Sequence, residues 1–299
     1  MTKKKMTLTL PVEENMSPGH LACQGCGAGI AMRVTLKALG KNAVLTFPAC
    51  CWTIIDGPFP YSSVEVPLLH TAFETTAAAA AGIKAAMNVL GNKDTIVAGW
   101  AGDGGTFDIG LQALSGAAER NDDVFYFCYD NEAYMNTGIQ RSGATPYGAW
   151  TTTTPVNHFK KESKKSIDDI VSAHKVPYHA TASVAYPEDL LKKILKAKEI
   201  RGFKFIHILA PCPPGWKSKP EHTVKLARLA VQTGIFPLYE VEAGVYKQTI
   251  KTPKRKPVIE YLKLQGRFRH LTSDDVKTIQ EMVDERYAEL EERFNKGKQ

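Results

Sequence analysis

Four of the six cysteines in the chain are spaced so that they could hold one metal centre. Cys23 and Cys26 form a Cys-x-x-Cys pair, which places two thiolates on a single turn. Cys51 follows later, and Cys212 comes just after an apolar segment far along the chain. Taken alone, the Cys-x-x-Cys pair would suit zinc, a redox dithiol or an iron–sulfur cluster equally well.

The positions of these cysteines along the chain help to distinguish a zinc site from an iron–sulfur cluster. Structural zinc sites are usually closed sites of four thiolates built from two local pairs. Only Cys23 and Cys26 form such a pair, because Cys51 and Cys212 come singly from distant segments. The spacing therefore favours a four-iron four-sulfur (4Fe-4S) cluster on these residues, with structural zinc as the alternative. Cys128 lies inside an apolar segment and is interpreted as a core residue.

A second group of residues has the composition of a diphosphate and magnesium site. Gly102, Asp103, Gly104 and Gly105 follow an apolar segment, and Asn131 follows the next one. A diphosphate requires backbone N–H groups at a helix N-terminus and glycines that let the chain approach closely. A hard Mg²⁺ ion requires oxygen ligands, which the Asp103 carboxylate and the Asn131 amide could supply. The alternative is a glycine-rich turn in which Asp103 caps the following helix.

An alternation of strands and helices would position both groups. Apolar runs predict strands over residues 43–47, 95–100, 124–129 and 203–210. Helical spacing predicts helices over residues 29–39, 74–90, 105–120, 167–174 and 187–200. Such alternation implies an α/β fold, with a parallel sheet flanked by helices. Ligands in these folds bind at the carboxyl ends of the strands, so Cys51, Cys212 and the magnesium ligands should share one edge.

The C-terminal part of the chain has a different pattern. Residues 233–263 are irregular and rich in Pro and Lys, which predicts an extended arm rather than a separate domain. The segment Ser273-Asp274-Asp275 is predicted to cap a final helix. Its apolar stripe consists of Val276, Ile279, Val283, Tyr287 and Leu290. We therefore predict a cofactor-binding domain over residues 1–232 and a C-terminal arm and helix over residues 233–299, packed on that domain or on a partner.

Composition and charge narrow the functional class. The chain has 299 residues, 43% hydrophobic and 23% charged, as expected for a globular protein with a large core. No run approaches the roughly 18 apolar residues of a membrane span, and the basic opening does not lead into an apolar signal core. The absence of an aromatic-interleaved basic motif argues against nucleic-acid binding. We therefore expect a cytoplasmic protein that binds neither membranes nor nucleic acid.

The net charge of +7 comes largely from lysine clusters at residues 3–5, 160–165, 251–256 and the C-terminal end. Such clusters are usually solvated faces, and we interpret them in that way. They would also suit an acidic partner protein.

The glycine-rich segment resembles a known cofactor motif. Gly-Asp-Gly followed about thirty residues later by Asn is the pattern of thiamine-diphosphate enzymes. Residues 130–138 resemble the cofactor loop of the 2-oxoacid:ferredoxin oxidoreductases, and the similarity continues at residues 140–141 and 144–146. The resemblance implies thiamine diphosphate with Mg²⁺ held by Asp103, Asn131 and the Ala133 backbone carbonyl. It also implies that Asn136 reaches the reacting carbonyl group of the substrate.

The resemblance extends over most of the chain and is to the beta subunits of pyruvate:ferredoxin oxidoreductases. It rests further on Gly19-His20 before the Cys-x-x-Cys pair, on residues 58–61, on residues 70–74 and on the Cys-Pro-Pro-Gly-Trp sequence beginning at Cys212. In the light of this resemblance, the cysteines are the ligands of one 4Fe-4S cluster.

Two points in this resemblance stay open. The family commonly has Gly where this chain has Cys50, so Cys50 competes with Cys51 for the third ligand position, and the register with residues 58–60 favours Cys51. His20 and His70 are interpreted as structural histidines rather than acids or bases, and the role of Glu74 is left open.

The resemblance implies an activity and an assembly. The reaction would be the coenzyme A-dependent oxidative decarboxylation of pyruvate, or its reverse, with electrons passed to ferredoxin. A separate alpha-type subunit would supply the carboxylate that activates the cofactor, because this chain has residues for only one such domain. Gamma and delta subunits with further clusters would complete the enzyme. Another 2-oxoacid, such as oxalate or 2-oxoisovalerate, is an alternative substrate.

Two hypotheses from other classes remain at this point. A cluster-free thiamine-diphosphate decarboxylase or carboligase would explain Asp103 and Asn131 but would leave the four cysteines without a purpose. An electron-transfer subunit or a zinc-stabilised assembly subunit would explain the cysteines but would leave Asp103 and Asn131 unexplained.

Overall fold

The computed structural model describes residues 10–297, so the lysines at positions 3–5 lie outside the described residues. Its strands are β1 (Ala43–Pro48), β2 (Leu68–Thr71), β3 (Ile96–Gly102), β4 (Phe125–Asp130), β5 (Tyr178–Ser183), β6 (Lys204–Leu209), β7 (Tyr239–Glu242) and β8 (Val245–Gln248). Within the described range they form one eight-stranded sheet in the spatial order β2-β1-β3-β4-β6-β5-β7-β8. Strands β1 to β6 are parallel, and β7 and β8 are joined to them in antiparallel fashion. This confirms the predicted parallel sheet.

Strand β4 shows why these segments form a buried sheet. It is apolar almost throughout, and every one of its residues is buried. Phe125, Phe127 and Tyr129 pack into one layer of the core, while Tyr126 and Cys128 pack into the other. Successive side chains of a strand point to opposite faces, so a strand covered on both faces must be apolar on both. Cys128 is a fully buried core residue, as predicted.

The helices are α1 (Gly27–Leu39), α2 (Cys51–Ile55), α3 (Thr76–Val89), α4 (Leu111–Glu119), α5 (Ile167–Ala173), α6 (Pro187–Lys198), α7 (Pro213–Trp216), α8 (Thr223–Thr233), α9 (Ile259–Leu262) and α10 (Ser273–Lys296). Helices α1 and α6 cover one face of the sheet, and α3, α4 and α5 cover the other. Among the described residues, no helix is long and apolar enough to cross a membrane.

The helix predicted over residues 105–120 is interrupted. A π-helical turn, Gly104–Asp108, comes first, and α4 begins only at Leu111. A Cβ atom at Gly110 would lie 2.0 Å from the carbonyl oxygen of Gly105, so the wide turn depends on glycine at that position. Helical spacing does not distinguish such a turn from an α-helix, and π-helical turns are frequent at functional sites.

Strands β2 and β5 were not predicted from the sequence. β2 is a four-residue strand at the edge of the sheet, which is too short for a clear pattern. β5 mixes small, polar and aromatic residues, yet all six of its residues are buried. Its burial comes from its sheet neighbours β6 and β7 and from the adjacent helices α5 and α6. Local hydrophobicity therefore gave no signal for it.

The prediction of an irregular arm over residues 233–263 is wrong in part. This segment contains the hairpin of β7 and β8, and β7 pairs with β5 at the edge of the sheet. Four-residue strands are not stable by themselves, and pairing with an existing sheet supplies the missing hydrogen bonds. Within the described residues, this segment therefore extends the central sheet of the chain.

The final helix begins one residue differently from the prediction. Thr272, not Ser273, is the N-cap, because the Thr272 hydroxyl accepts a hydrogen bond from the Asp275 N–H at 3.2 Å. The Asp275 carboxylate accepts from the Thr272 N–H in return, which forms a capping box. The apolar stripe packs against this chain, since Leu290 contacts the cluster that contains Tyr239 of β7.

Candidate cofactor and metal site

The carboxyl ends of four neighbouring strands meet at one edge, in the order β1-β3-β4-β6. β1 leads towards Cys51, β3 leads into Asp103, β4 leads into Asn131, and β6 leads towards Cys212. The chain runs outward from β1 to β2 in one direction and from β3 to β4 in the other. Such a switch in strand order opens a crevice in which α/β proteins bind ligands.

A cavity of about 200 Å³ occupies this crevice. Its lining contains every residue predicted to contact thiamine diphosphate or Mg²⁺, together with both adjacent cysteines: Gly102, Asp103, Gly104, Gly105, Asn131, Ala133, Asn136, Cys50 and Cys51. The fold therefore brings the predicted cofactor residues and Cys51 into one cavity, whereas Cys23, Cys26 and Cys212 lie outside its lining. Asp103 and Asn131 are buried, whereas Asn136 is exposed.

Two glycines of this segment lie so close to aromatic rings that they leave little or no room for a side chain. A Cβ atom at Gly104 would lie 2.2 Å from the Tyr134 ring. The ring itself is held in place, because the Tyr134 hydroxyl donates to Asp108 Oδ2 at 2.8 Å and the ring edge packs on Phe73. A Cβ at Gly105 would lie 3.2 Å from the Phe73 ring. Both glycines line the cavity, so their backbone is available there to a diphosphate.

Three oxygen-bearing groups converge beside the glycines. One terminal atom of the Asn131 amide lies 2.8 Å from Asp103 Oδ1 and 2.9 Å from the Ala133 carbonyl oxygen. If the amide nitrogen takes this position, it donates to both oxygens. If the amide oxygen takes it, three oxygens face one another, and a hard cation is the group that would hold them together. The donor set therefore fits Mg²⁺.

The electrostatics of Asp103 agree with this fit. Burial, together with the negative charge of Asp130, raises the pKa of Asp103 well above its ordinary range. Its carboxylate accepts hydrogen bonds from the Asn131 N–H at 3.4 Å and from the Ser142 hydroxyl at 2.5 Å, and it makes no helix-capping bond. The structure therefore contradicts the capping alternative. A bound divalent cation would stabilise the ionised carboxylate.

A buried ion network lies behind the oxygen groups. His207 lies between two carboxylates, with Nε2 2.8 Å from Asp130 and Nδ1 2.9 Å from Asp168. Burial opposes protonation, but the two carboxylates outweigh it and raise the pKa of His207 to about 9. Lys164 binds both Asp130 and Glu132. The network neutralises Asp130 and Glu132, the residues on either side of Asn131.

A larger cavity of about 320 Å³ lies between this network and helix α10. Lys164, Asp168 and His207 are among its lining residues, and each is already engaged in the ion pairs just described. We therefore place the functional site in the smaller cavity, where the oxygen groups remain to be satisfied.

The four predicted cluster ligands lie near one another. Cys23 is exposed, whereas Cys26, Cys51 and Cys212 are partly buried. Burial, followed by repulsion from Cys26 and Cys23, raises the pKa of the Cys212 thiol to about 12. Burial and the charges of Cys50, Cys212 and Cys26 likewise raise the pKa of Cys51. The four thiols are therefore close enough to affect one another's pKa, and the iron of a cluster would offset their repulsion.

Close backbone contacts bring the cysteine segments together. The Gly27 N–H donates to the Pro211 carbonyl oxygen at 3.0 Å, and a Cβ at Gly27 would lie 2.7 Å from Ala210. Gly25 has a φ of +71°, and a Cβ there would lie 2.5 Å from the Pro220 carbonyl oxygen. Glycine at both positions lets the Cys-x-x-Cys turn lie against the segment that carries Cys212. The donor set and this packing fit a thiolate-bound cluster.

The environments of Cys50 and Cys51 differ. Cys50 is buried and hydrogen-bonded to the Tyr129 side chain, and burial raises its pKa. Cys51 is partly exposed and interacts electrostatically with Cys26 and Cys212. This difference supports Cys51 as the third ligand.

Within residues 10–297, no group of three or more His, Cys, Asp or Glu side chains is placed to hold a single metal ion. A preformed zinc site would bring its thiolates to about 2.3 Å from one point. His20 and His70 have local partners: His20 Nδ1 accepts from the Ala22 N–H at 3.3 Å, and His70 lies 3.6 Å from Asp56. Glu74 is exposed just before α3.

Sequence reasoning missed the ion network and misinterpreted one lysine cluster. Lys160 is buried and donates to the Thr145 carbonyl oxygen at 2.5 Å, and Lys164 binds buried carboxylates, so residues 160–165 are not simply a solvated face. His207 within the apolar strand β6 was the available signal, since a charged group in a buried strand requires a partner. Arg267 gave no such signal, because its partner Glu132 is far away in sequence.

The fold and the site define the class of protein. Residues 56–208 match the family model described as thiamine pyrophosphate enzyme, C-terminal TPP binding domain. A solved structure described as 2-oxoglutarate:ferredoxin oxidoreductase from Magnetococcus marinus, with 2-oxoglutarate, coenzyme A and succinyl-CoA bound, shares the fold. It has a TM-score of 0.59 and 23% sequence identity, and the match covers 75% of this chain and 82% of that chain. The chain therefore contains a thiamine-diphosphate-binding domain.

Curated relatives give the family within this class. The ketoisovalerate oxidoreductase subunit VorB of Pyrococcus abyssi is 56% identical over 96% of this chain and 95% of its own length. The pyruvate synthase subunit PorB of Methanocaldococcus jannaschii is 50% identical over 94% of this chain and 98% of its own length. The PorB of Pyrococcus furiosus is 46% identical over 91% and 90%. The chain belongs to the 2-oxoacid:ferredoxin oxidoreductase family, among the beta subunits represented by PorB and VorB.

Proposed function

We propose that this chain is the thiamine-diphosphate and iron–sulfur subunit of a cytoplasmic 2-oxoacid:ferredoxin oxidoreductase. In this proposal the enzyme catalyses the coenzyme A-dependent oxidative decarboxylation of pyruvate, or its reverse, and passes the electrons to ferredoxin. The observation that carries the proposal is the shared cavity, in which Asp103 and Asn131 lie on the same lining as Cys51. A decarboxylation site and a one-electron acceptor would then be neighbours.

On the cofactor side, each residue has a distinct role. Asp103, Asn131 and the Ala133 carbonyl would hold Mg²⁺, and the backbone of Gly102, Gly104 and Gly105 would lie against the diphosphate. Bound thiamine diphosphate supplies an electron sink for carbon–carbon bond cleavage beside a carbonyl group. Asn136 is exposed on the cavity lining, where its amide can donate a hydrogen bond to a substrate carbonyl. The rings of Phe73 and Tyr134 pack on each other in the cavity lining and form part of one wall.

On the metal side, Cys23, Cys26, Cys51 and Cys212 would bind one 4Fe-4S cluster as thiolates. The raised pKa of Cys212, about 12 as a result of burial and thiol repulsion, means that the free thiol is protonated at neutral pH. Iron binding would therefore release protons. Two alternatives remain to be tested. In the first, structural zinc binds the same four thiols; in the second, Cys50 takes the place of Cys51 as the third cluster ligand.

The proposal requires partners. We infer an alpha-type subunit that supplies the activating carboxylate, gamma and delta subunits with further clusters, and ferredoxin as the electron acceptor. The relatives PorB and VorB are named as subunits, which supports an assembled enzyme.

The proposal has two candidate substrates. Pyruvate is the first candidate because several relatives are pyruvate synthase subunits. 2-Oxoisovalerate is the second, because VorB of Pyrococcus abyssi, at 56% identity, is a ketoisovalerate oxidoreductase subunit. The ratio of kcat/KM for the two acids, measured on the assembled enzyme, decides between them. Each added methylene in a hydrophobic pocket changes this ratio by roughly 10–200-fold, and 2-oxoisovalerate has an isopropyl group where pyruvate has a methyl group.

The main test is anaerobic purification with the native partners, followed by iron, zinc and thiamine analysis and electron paramagnetic resonance (EPR). About four irons per copy of this chain, after subtraction of the partner clusters, with bound thiamine and a signal that depends on 2-oxoacid and coenzyme A, are expected. Thiamine without iron in this subunit would instead support a cluster-free decarboxylase or carboligase. Zinc without thiamine would overturn the proposal.

A further inference from the structure

A tryptophan links the two halves of the site. We call residues 130–136 the Asn131 loop and residues 210–217 the Cys212 loop. Trp216 lies in the Cys212 loop, is fully buried, and donates its indole N–H to the Asn131 carbonyl oxygen at 2.7 Å. Its own backbone N–H donates to the Cys212 carbonyl oxygen at 2.8 Å. The magnesium side and the cysteine side are therefore joined by one side chain.

Arg267, from the C-terminal region, contacts both loops. Its guanidinium lies 4.1 Å from the centre of the Trp216 ring and donates to Glu132 Oε2 at 2.6 Å. The Gln265 side chain accepts from Arg267 Nε at 2.9 Å, which sets the plane of the guanidinium. Arg267 is only 2% exposed, although it is charged. It also acts electrostatically on Cys212.

Glu132 explains why an arginine is needed. Its backbone φ is +68°, in the left-handed region that residues other than glycine seldom adopt, and its side chain is buried. The carboxylate is held on one oxygen by Lys164 at 3.0 Å and on the other by Arg267. Because Glu132 lies between Asn131 and Ala133, its conformation sets where those two oxygen groups point.

We propose that Arg267 is a positioning residue that holds the Asn131 loop and the Cys212 loop in one fixed arrangement. Its planar guanidinium stacks on Trp216 and binds Glu132 at the same time, which a lysine cannot do. The consequence is a linkage between the two cofactor sites: a change at Arg267 disturbs Mg²⁺–thiamine diphosphate binding and the cluster together. The inference rests on the proposed function, since it requires both groups to bind.

The test compares Arg267→Met with a matched control, Arg255→Met, in the complex assembled with its native partners. Arg255 makes the same two kinds of contact, an ion pair with Asp284 at 2.6 Å and a stack on Tyr287 at 4.5 Å, but touches neither loop. After removal of Mg²⁺ and cofactor with a chelator, the affinity for Mg²⁺–thiamine diphosphate is measured by calorimetric titration. The midpoint potential of this chain's cluster is measured by EPR during a reductive titration.

We expect Arg267→Met to weaken Mg²⁺–thiamine diphosphate binding at least about 10-fold, as loss of a group supporting metal ligands commonly does. The cluster potential should shift to more negative values, because a positive charge near the cluster is lost. Arg267→Lys should have a cluster midpoint potential close to that of the parent, because the positive charge is kept. Its affinity for Mg²⁺–thiamine diphosphate should lie between those of Arg267→Met and the parent. Arg255→Met should change neither quantity. Equal behaviour of Arg267→Met and Arg255→Met would overturn the proposal.

A second variant covers the case in which Arg267→Met does not assemble. Glu132→Gln combined with Arg267→Met removes the unpaired buried carboxylate, and this double variant should assemble but keep the binding defect. Normal affinity in the double variant would show that Arg267 only neutralises Glu132, and would also overturn the proposal. If the parent complex itself lacks thiamine or the cluster, the proposed function fails, whatever the variants do.

Discussion

The oxygen site and the thiol site occupy one edge of the sheet but are built differently. Asp103 and Asn131 directly follow β3 and β4, which are hydrogen-bonded neighbours, and both side chains are buried. The thiols come from the loop before α1, from α2 and from the segment after β6, and Cys23 is exposed. The sheet positions the oxygen groups, whereas loop contacts position the thiols.

This difference indicates where each site obtains its order. The oxygen groups are held by sheet register and by the ion network of Lys164, His207 and Arg267, so they can be arranged before any cofactor binds. The thiols are held by contacts such as that of Gly27 with Pro211, and they repel one another when ionised. We therefore expect the thiol region to depend more on its bound group than the oxygen region does.

The largest expected effect is at the thiol site. Cys212→Ser should abolish cluster binding, from about four irons per chain to near zero, while circular dichroism shows the parent secondary structure. Cys51→Ser should do the same, and Cys50→Ser should retain the iron. Cluster retained in Cys212→Ser would remove this residue from the ligand set, and iron lost only in Cys50→Ser would exchange the third ligand.

At the oxygen site, Asp103→Asn should weaken Mg²⁺–thiamine diphosphate binding by about 100-fold or more, because one charged oxygen ligand is lost. Asn131→Ala should act in the same direction, by about 10–100-fold. Titration calorimetry on the assembled complex measures both. Asp122→Asn, which alters only an ion pair with Arg120, is the control and should bind as the parent does. The cluster should be unaffected in all of these variants.

A change in shape alone should have a smaller effect on the same cavity. Gly104→Ala places a methyl group 2.2 Å from the Tyr134 ring, which Asp108 and Phe73 hold in place. We expect a loss of stability of about 1–3 kcal/mol and binding weakened about 10-fold. Gly82→Ala is the matched control, since nothing lies within 4 Å of its Cβ position on α3. Gly82→Ala should be at least as stable as the parent, because Ala favours a helix interior more than Gly does. A thermal melt in which Gly104→Ala is as stable as the parent would contradict the close approach at Gly104.

The smallest expected effect is on pH dependence, through His207. Its pKa is raised to about 9 by Asp168 and Asp130 against the effect of burial, compared with about 6.5 in an unfolded chain. The stabilisation is therefore complete below pH about 6.5 and is lost as the pH rises to about 9, on the order of 1–3 kcal/mol in total. The thermal midpoint, measured from about pH 6 to about pH 9.5, should fall with rising pH in the parent but not in His207→Gln.

Sequence patterns were informative wherever chemistry depends on neighbours along the chain. The Cys-x-x-Cys turn, the glycines around Asp103 and the position of Asn131 after an apolar strand are local features. Parallel strands place their carboxyl ends at one edge, so Asp103 and Asn131 could be expected to meet once β3 and β4 were recognised. The helix interruption at Gly110 was not predicted, because helical spacing does not distinguish a π-helical turn from an α-helix. Strands β2 and β5 were not predicted, because β2 is only four residues long and β5 mixes polar and apolar residues.

What the sequence determined by itself was the set of groups available for chemistry: thiols for a metal centre, oxygen ligands for a cation, and glycines for a diphosphate. Only the tertiary structure decided which groups became neighbours across long separations. Arg267 and Glu132 form an ion pair although they are 135 residues apart in the sequence, and His207 and Asp130 do so although they are 77 residues apart. Burial then makes each of these pairs obligatory, because a charge removed from water requires a partner.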